Sequence, residues 1–263
     1  MAATGTARMM SEIKRRILLV PIDLHGINRG TLETVVRIAR QLDRSLLGLL
    51  LEDIRLQRVA DLPFTTEITL TGGRERSLLR DHLSQRHSQV STDTRRVLHE
   101  LASRDQVELN FEDAAGSRWH TALERDGDLD IFFPARQRWH LVSASHTPGR
   151  AVIRRLGMVL PHKDPAPQLL DTAARLVRTG LVGDVYVLSD RALLPEALHD
   201  LYRPGHQVRV QSNFACNAHS VTALIRQSPY DLLLLPRACL RDIEPEVLDA
   251  TLDKSGGQVL VVD

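Results

Sequence analysis

The chain has 263 residues, 43% of them hydrophobic and 25% charged, with a formal net charge of +1. This composition is typical of a packed globular protein, and it excludes both intrinsic disorder and an overall charge that attracts nucleic acid or an anionic membrane. Two cysteines exclude a disulfide framework, and no apolar run reaches the roughly 20 residues of a membrane helix. We therefore expect a cytoplasmic protein that binds neither nucleic acid nor membrane. Residues 1–14 predict a flexible tail without a signal-peptide pattern.

The first half of the chain alternates short apolar runs with helical patterns. The runs predict buried strands at residues 17–22, 46–51, 107–111 and 130–134. The helical patterns lie at residues 33–41, 74–104 and 117–125, and Thr31 is the expected N-cap of the first helix. Residues 54–73 have no clear pattern. Strands that alternate with helices predict a parallel sheet with right-handed crossovers.

The second half repeats this order of elements. Its strands are predicted at residues 156–160, 184–188, 207–211, 231–235 and 258–262. Its helices are predicted at residues 167–179, 193–202, 218–227 and 244–254.

Two stretches of similar residues support a duplication. Residues 121–134 and 222–236 share a Thr-Ala-Leu start, an arginine at the fifth position and a strand that begins with aspartate and ends with proline. Residues 32–53 resemble residues 170–190, since each ends in a strand followed by an acid. Matches in the same order indicate two diverged copies of one unit, at residues 15–153 and 154–263.

The order of the elements resembles that of the universal stress protein family. The resemblance rests on residues 17–23 and 46–53 in the first copy, and on residues 170–190 and the ending at 255–262 in the second. Residues 148–153 resemble a shortened last strand of the first copy. The resemblance implies two doubly wound parallel five-stranded sheets, which are tandem adenine-nucleotide α-hydrolase-like units packed as an internal pseudo-dimer.

The resemblance also implies where a nucleotide would bind. Family members that bind ATP hold it at the carboxyl ends of the strands, with an acid after the first strand and a glycine-rich phosphate loop after the fourth. Asp23 matches the acid in the first copy, whereas the second copy has Lys163 near that place. Residues 134–139 and 236–241 contain no glycine, although close approach of backbone to phosphate requires it. We expect the nucleotide mode to be lost in the second copy, and lost or rebuilt in the first.

The candidate ligand-binding residues of the first copy follow its predicted strands: Asp23, His25, Asn28, Leu51, Arg136 and Arg138. Short polar residues after a strand bind a ribose or polar head group, or they cap the turn. The arginines replace the phosphate cradle, or they are solvated surface residues. No catalytic residue is predicted. No metal site is predicted either, because Cys216 and His219 form only half of a zinc pattern.

The long helix predicted at residues 74–104 has a narrow apolar stripe. Leu83, Val90 and Val97 repeat every seven residues, and Leu79 and Leu101 flank them. One interpretation is a seam for a partner helix, in this chain or in a second copy. The other is a covering helix that packs a thin stripe on its own sheet.

The predicted function is that of a non-catalytic stress-response or signalling protein with degenerate ATP-binding loops. It would act by binding a small ligand or a protein partner, without a cofactor, and a homodimer is one expected assembly. The alternative is a sensor that binds ATP or AMP in the first copy only. A nucleotide-processing enzyme is a third hypothesis, which no pair of catalytic groups at a useful spacing supports.

Overall fold

The structure is a computed structural model that describes residues 16–23, 28–52, 54–68, 72–116, 118–125, 128–135, 153–161, 167–193 and 195–263. The strands are β1 Ile17–Ile22, β2 Ser45–Glu52, β3 Thr66–Ile68, β4 Glu75–Ser77, β5 Leu109–Ala115, β6 Leu129–Phe133, β7 Ile153–Leu160, β8 Val182–Ser189, β9 Val208–Gln211, β10 Leu232–Pro236 and β11 Gln258–Val262. The helices are α1 Arg29–Leu42, α2 Ile54–Ala60, α3 Arg80–Asp105, α4 Arg118–Leu123, α5 Pro167–Arg178, α6 Ala218–Arg226 and α7 Pro245–Leu252. Short 3₁₀ helices occur at Pro195–Leu201 and Arg237–Leu240.

One sheet of nine strands contains both halves of the chain, in the order β5-β2-β1-β6-β11-β10-β7-β8-β9. Neighbours within each half are parallel, and the halves meet where β6 pairs antiparallel with β11. When only the strands of this sheet are counted in chain order, both halves have the spatial order third, second, first, fourth. The α/β class is therefore confirmed, with helices covering a mostly parallel sheet.

The expected pair of separate five-stranded sheets is wrong. The described part of the first half contributes four strands, and β11 pairs directly with the edge of β6, whose backbone N–H and C=O groups need partners. Of residues 148–153, which were expected to form a shortened last strand, Ile153 begins β7. The other five lie outside the described residues.

Two helix starts differ from those expected. Asn28, rather than Thr31, is the N-cap of α1, since its side-chain oxygen accepts a hydrogen bond from the Thr31 backbone N–H at 2.8 Å. The long helix begins at Arg80 rather than Arg74, because Glu75–Ser77 pairs antiparallel with Thr66–Ile68 as a short hairpin.

The core has one layer on each face of the sheet. Along β1, Leu18 and Val20 pack in the layer that contains α1, α3 and α5, whereas Leu19 packs in the layer of α4, α6 and α7. Successive side chains of a strand point to opposite faces, so strands covered on both sides are apolar throughout. Among the described residues, no helix combines the length and apolarity needed to cross a bilayer.

Helices of the two halves also pack against each other. On one face α1 contacts α5, and on the other α4 contacts α7. The ring of Trp119 in α4 contacts that of Phe133 in a tilted arrangement, with centroids 4.0 Å apart and 51° between the ring planes. The Trp119 indole N–H donates to the Asp253 carboxylate at 3.2 Å. The junction between the halves is thus made by the sheet and by both helical layers.

Gly257 directly precedes β11, and its Cα lies too close to neighbouring backbone to carry a side chain. A Cβ atom added at Gly257 would lie 2.3 Å from the Tyr230 carbonyl oxygen, whereas one at Gly256 would lie 3.8 Å from the Ser228 carbonyl oxygen. The first distance requires a backbone shift, while the second is ordinary contact.

We expect Gly257→Ala to lower the free energy of unfolding by about 2 kcal/mol, because the β10–β11 pairing must move to admit the methyl group. Gly256→Ala is the matched control, with an expected change within about 0.5 kcal/mol. Urea denaturation of both variants measures the difference. Equal stabilities would contradict the close packing at Gly257.

Candidate functional site

The carboxyl edge of the first half is the place where open α/β sheets bind ligands. Asp23 follows β1 there and is 8% exposed. Glu52 ends β2, where its side chain accepts a hydrogen bond from Gln57 and its carbonyl accepts one from the Gly116 N–H at 3.1 Å. Gly116 has φ +144°, a conformation that favours glycine. The edge therefore holds one nearly buried acid beside two turns tied by the chain's own polar groups.

The structure assigns the other expected ligand-binding residues to different places. Asn28 uses its side-chain oxygen as the α1 N-cap. Leu51 is 1% exposed and packs in the core, so it presents no surface at this edge. His25, Arg136 and Arg138 lie outside the described residues. Of the described members of the predicted set, Asp23 and Asn28 therefore lie at the edge.

The corresponding edge of the second half is filled by a short turn. Arg237 follows β10, and its guanidinium donates to the Arg125 carbonyl at 3.0 Å and lies 3.8 Å from the Asp263 carboxylate. Leu240 of the same 3₁₀ helix is buried in the core. A side chain that joins the halves and an apolar anchor therefore occupy the position expected for a phosphate loop.

The cysteines of the second half lie partly buried against the same core layer. Cys216 has its sulfur 3.7 Å from the Phe214 carbonyl oxygen, and burial, followed by the negative charge of Asp190, raises the pKa of its thiol. A raised thiol pKa opposes the thiolate that a nucleophile needs. Within the described ranges, no three His, Cys, Asp or Glu side chains are grouped as metal ligands.

A buried ion cluster lies at the opposite, amino-terminal edge of the first half. Asp130 of β6 is fully buried, with the Arg44 guanidinium 3.1 Å and the Arg16 guanidinium 3.6 Å from its carboxylate. Arg16 also donates to the main-chain oxygen of Asp263 at 3.4 Å. Three residues far apart in sequence therefore meet beside the junction of the halves.

Charge, rather than well-aligned hydrogen bonds, compensates Asp130. Neither carboxylate oxygen has a hydrogen-bond partner of good geometry. Burial raises the pKa of Asp130, and the positive charges of Arg44 and Arg16 offset only part of that effect. Burial also lowers the pKa of Arg44. The cluster lies at the opposite end of the strands from the carboxyl edge of the first half, so it is not part of that candidate site.

The raised pKa of Asp130 makes stability depend on pH. The folded state binds a proton more tightly than the unfolded state, so this group's contribution is largest at acid pH and is lost as pH rises through the ordinary and then the raised pKa. We expect the stability difference between wild type and Asp130→Asn to favour wild type more at about pH 4 than at about pH 7. Urea denaturation at both pH values measures it, and a difference that increased with pH would contradict the prediction.

The segment from α2 to the middle of α3 lies outside the hydrophobic core. We call residues 54–93 the arm. None of the arm side chains that the structure describes is buried. The second half of α3 is anchored instead, with Leu98 and Leu101 in the core and the Arg95 guanidinium 2.9 Å from the Asp113 carboxylate.

The predicted seam divides along this boundary. Leu101 is fully buried and Val97 packs against the core, as the covering-helix interpretation expects. Leu83 and Val90 are half-buried, and Leu79 is 50% exposed. Leu83 lines a groove of about 370 Å³ between α3 and the hairpin. The groove is otherwise mostly polar, and its other lining residues are Glu67, Arg76, Leu78, His82, Gln85, Arg86 and Gln89.

Comparisons with known proteins leave the family open. No protein-family model matches the chain, and no curated protein matches it. One solved structure with a match is the lysine monooxygenase NbtG from Nocardia farcinica, described with an unprecedented NADPH domain conformation. The match has 12% identity and a TM-score of 0.15, and covers 68% of this chain and 58% of that one. The chain thus spans less than two thirds of that protein, and a TM-score this low does not indicate a shared fold.

The role of Asn28 as a cap is open to direct measurement. We expect Asn28→Ala to lower the free energy of unfolding by about 1 kcal/mol, because the Thr31 N–H loses its acceptor. Asn28→Ser keeps an acceptor and should recover most of the loss. Thermal or urea unfolding compares the variants. If both were as stable as wild type, Asn28 would not be a structural cap, and its ligand-binding interpretation would gain support.

Proposed function

We propose that this chain is a non-catalytic binding protein of the universal stress protein type, which acts by contact with a protein partner or a small ligand. The observation that carries the proposal is the position of Arg237. It follows the fourth strand of the second half, and its guanidinium contacts the Arg125 carbonyl and the Asp263 carboxylate. The shared strand order of the two halves supports the duplication on which the proposal builds.

The chemistry of phosphate binding explains why this position matters. A phosphate loop presents several free backbone N–H groups and lacks side chains that block approach. Here the chain after β10 turns at once into the 3₁₀ helix, and Leu240 packs into the core. The turn therefore stabilises the junction of the halves, and a phosphate group would have to displace both contacts of Arg237.

A specific observation supports the alternative of an ATP or AMP sensor. Asp23 stands directly after β1, where the family resemblance implies an acid beside the base and ribose, and it is nearly buried. A carboxylate there accepts hydrogen bonds from ribose hydroxyl groups. This alternative uses the first half alone, because the second half lacks a matching acid.

Calorimetric titration with ATP and with AMP, each with Mg²⁺, distinguishes the two functions. We expect no saturable binding at nucleotide concentrations up to about 1 mM, which corresponds to less than about 4 kcal/mol of binding free energy. The prediction follows from the occupied turn at Arg237 and from the glycine-free positions in both halves.

Three variants identify the cause if binding is found. Loss of binding in Asp23→Ala, with binding retained in Arg237→Ala, would establish the sensor in place of the proposed function. Asp200→Ala is the matched control, because Asp200 is an exposed acid of the second half. Turnover of the nucleotide by wild type would contradict both functions.

A further inference from the structure

The arm carries most of the exposed large apolar side chains among the described residues. The described residues include eight exposed large apolar side chains. Five of them belong to the arm: Val59 at 41%, Leu62 at 59%, Phe64 at 98%, Ile68 at 72% and Leu79 at 50%. A concentration of this kind in one segment is characteristic of an interaction site, whereas scattered exposed residues are ordinary.

Contacts within the arm hold these residues together. The Thr65 hydroxyl donates to the carbonyls of Val59 and Leu62 at 2.9 and 3.0 Å, and the Leu78 N–H donates to the Thr65 carbonyl at 2.9 Å. The Asp61 carboxylate lies 3.1 Å from the Arg80 guanidinium. These contacts connect the end of α2, the hairpin and the start of α3. We call their exposed apolar side chains the apolar patch, which consists of Val59, Leu62, Phe64, Ile68 and Leu79.

Phe64 stands out in this patch because of its backbone. It has φ +65°, in the left-handed region that disfavours residues with a Cβ atom, and almost all of its side chain is in solvent. Glycine or asparagine would be more stable in this conformation. The most exposed aromatic ring among the described residues therefore lies at a position where the ring adds nothing to the fold.

Charges of both signs lie around the patch, and two ion pairs form within the arm. Arg80 pairs with Asp61, and Arg76 with Glu67. Because acids balance the arginines, this surface carries no strong positive charge that would attract a highly acidic partner or an anionic membrane. The charged residues around the patch include both acids and arginines. In a two-fold symmetric dimer the acids of one copy can therefore face arginines of the other.

The area of the patch matches the requirement of a stable dimer. Its five side chains expose roughly 500 Å² of apolar surface in each chain, and a standard interface buries about 800 Å² per partner with a little over half of it apolar. Two patches in contact would supply that apolar part.

We propose that a second copy of this chain covers the apolar patch, so that the protein is a two-fold symmetric dimer joined through its arms with Phe64 near the centre of the interface. The proposal does not depend on the proposed function.

Sedimentation velocity of the full chain at protein concentrations from about 1 to about 100 µM tests the proposal. We expect wild type to sediment as a dimer at the upper end of this range. Phe64→Asn should dissociate at least about thirtyfold more readily, because the lost ring is counted twice in a symmetric interface. Its monomer should be as stable as wild type or more so, since asparagine tolerates the left-handed conformation, and circular dichroism verifies that it is folded.

Val247→Asn is the matched control, because Val247 is a 39% exposed valine on α7, outside the arm. It should leave the dimer unchanged. A wild type that is monomeric at about 100 µM would overturn the proposal and leave the patch to a different protein. A dimer that persists in Phe64→Asn together with Leu62→Ser would overturn it as well.

Hydrogen exchange at high and low protein concentration locates the interface independently. We expect concentration-dependent protection of amides in the hairpin and in the first turns of α3. Protection confined to the sheet edges at β5 or β9 would contradict the arm interface.

Discussion

The antiparallel pairing of β6 with β11 is the constraint on which the rest of the structure depends. It converts two parallel arrays into one sheet, so that β5 and β9 are its outer strands. It brings α1 against α5 and Trp119 against Asp253, and it sets the main-chain oxygen of Asp263 beside Arg16. Each of these contacts joins residues of different halves. The two units therefore stabilise each other, and the core is continuous from one to the other.

The same pairing determines where each half presents its ligand edge. Because the halves run in opposite directions, the carboxyl edge of one lies alongside the amino edge of the other. Asp263, at the carboxyl edge of the second half, is consequently close both to Arg237 and to Arg16 of the ion cluster around Asp130. The carboxyl edge of the second half is here used to join the two halves. The carboxyl edge of the first half, where Asp23 lies, is at the opposite end of the strands.

The sequence predicted the elements better than their assembly. Strands such as β1 and β11 were located to the residue, since burial on both faces requires continuous apolar runs. The hairpin before α3 was missed, because Glu75–Ser77 is exposed on every side chain and has no apolar alternation. The union of the two sheets depends on which edge is free in space, which local patterns do not encode. The ion cluster joins Arg16, Arg44 and Asp130, and the one available signal was an aspartate that opens an otherwise apolar strand.

The location of β11 has a consequence for synthesis. It follows every other strand in the chain, yet it lies fifth of nine in the sheet. On the ribosome, β6 and β10 are therefore made with their facing edges open, and each edge presents unpaired N–H and C=O groups until the strand between them emerges. The nascent protein must keep two half-sheets apart from other chains during that interval.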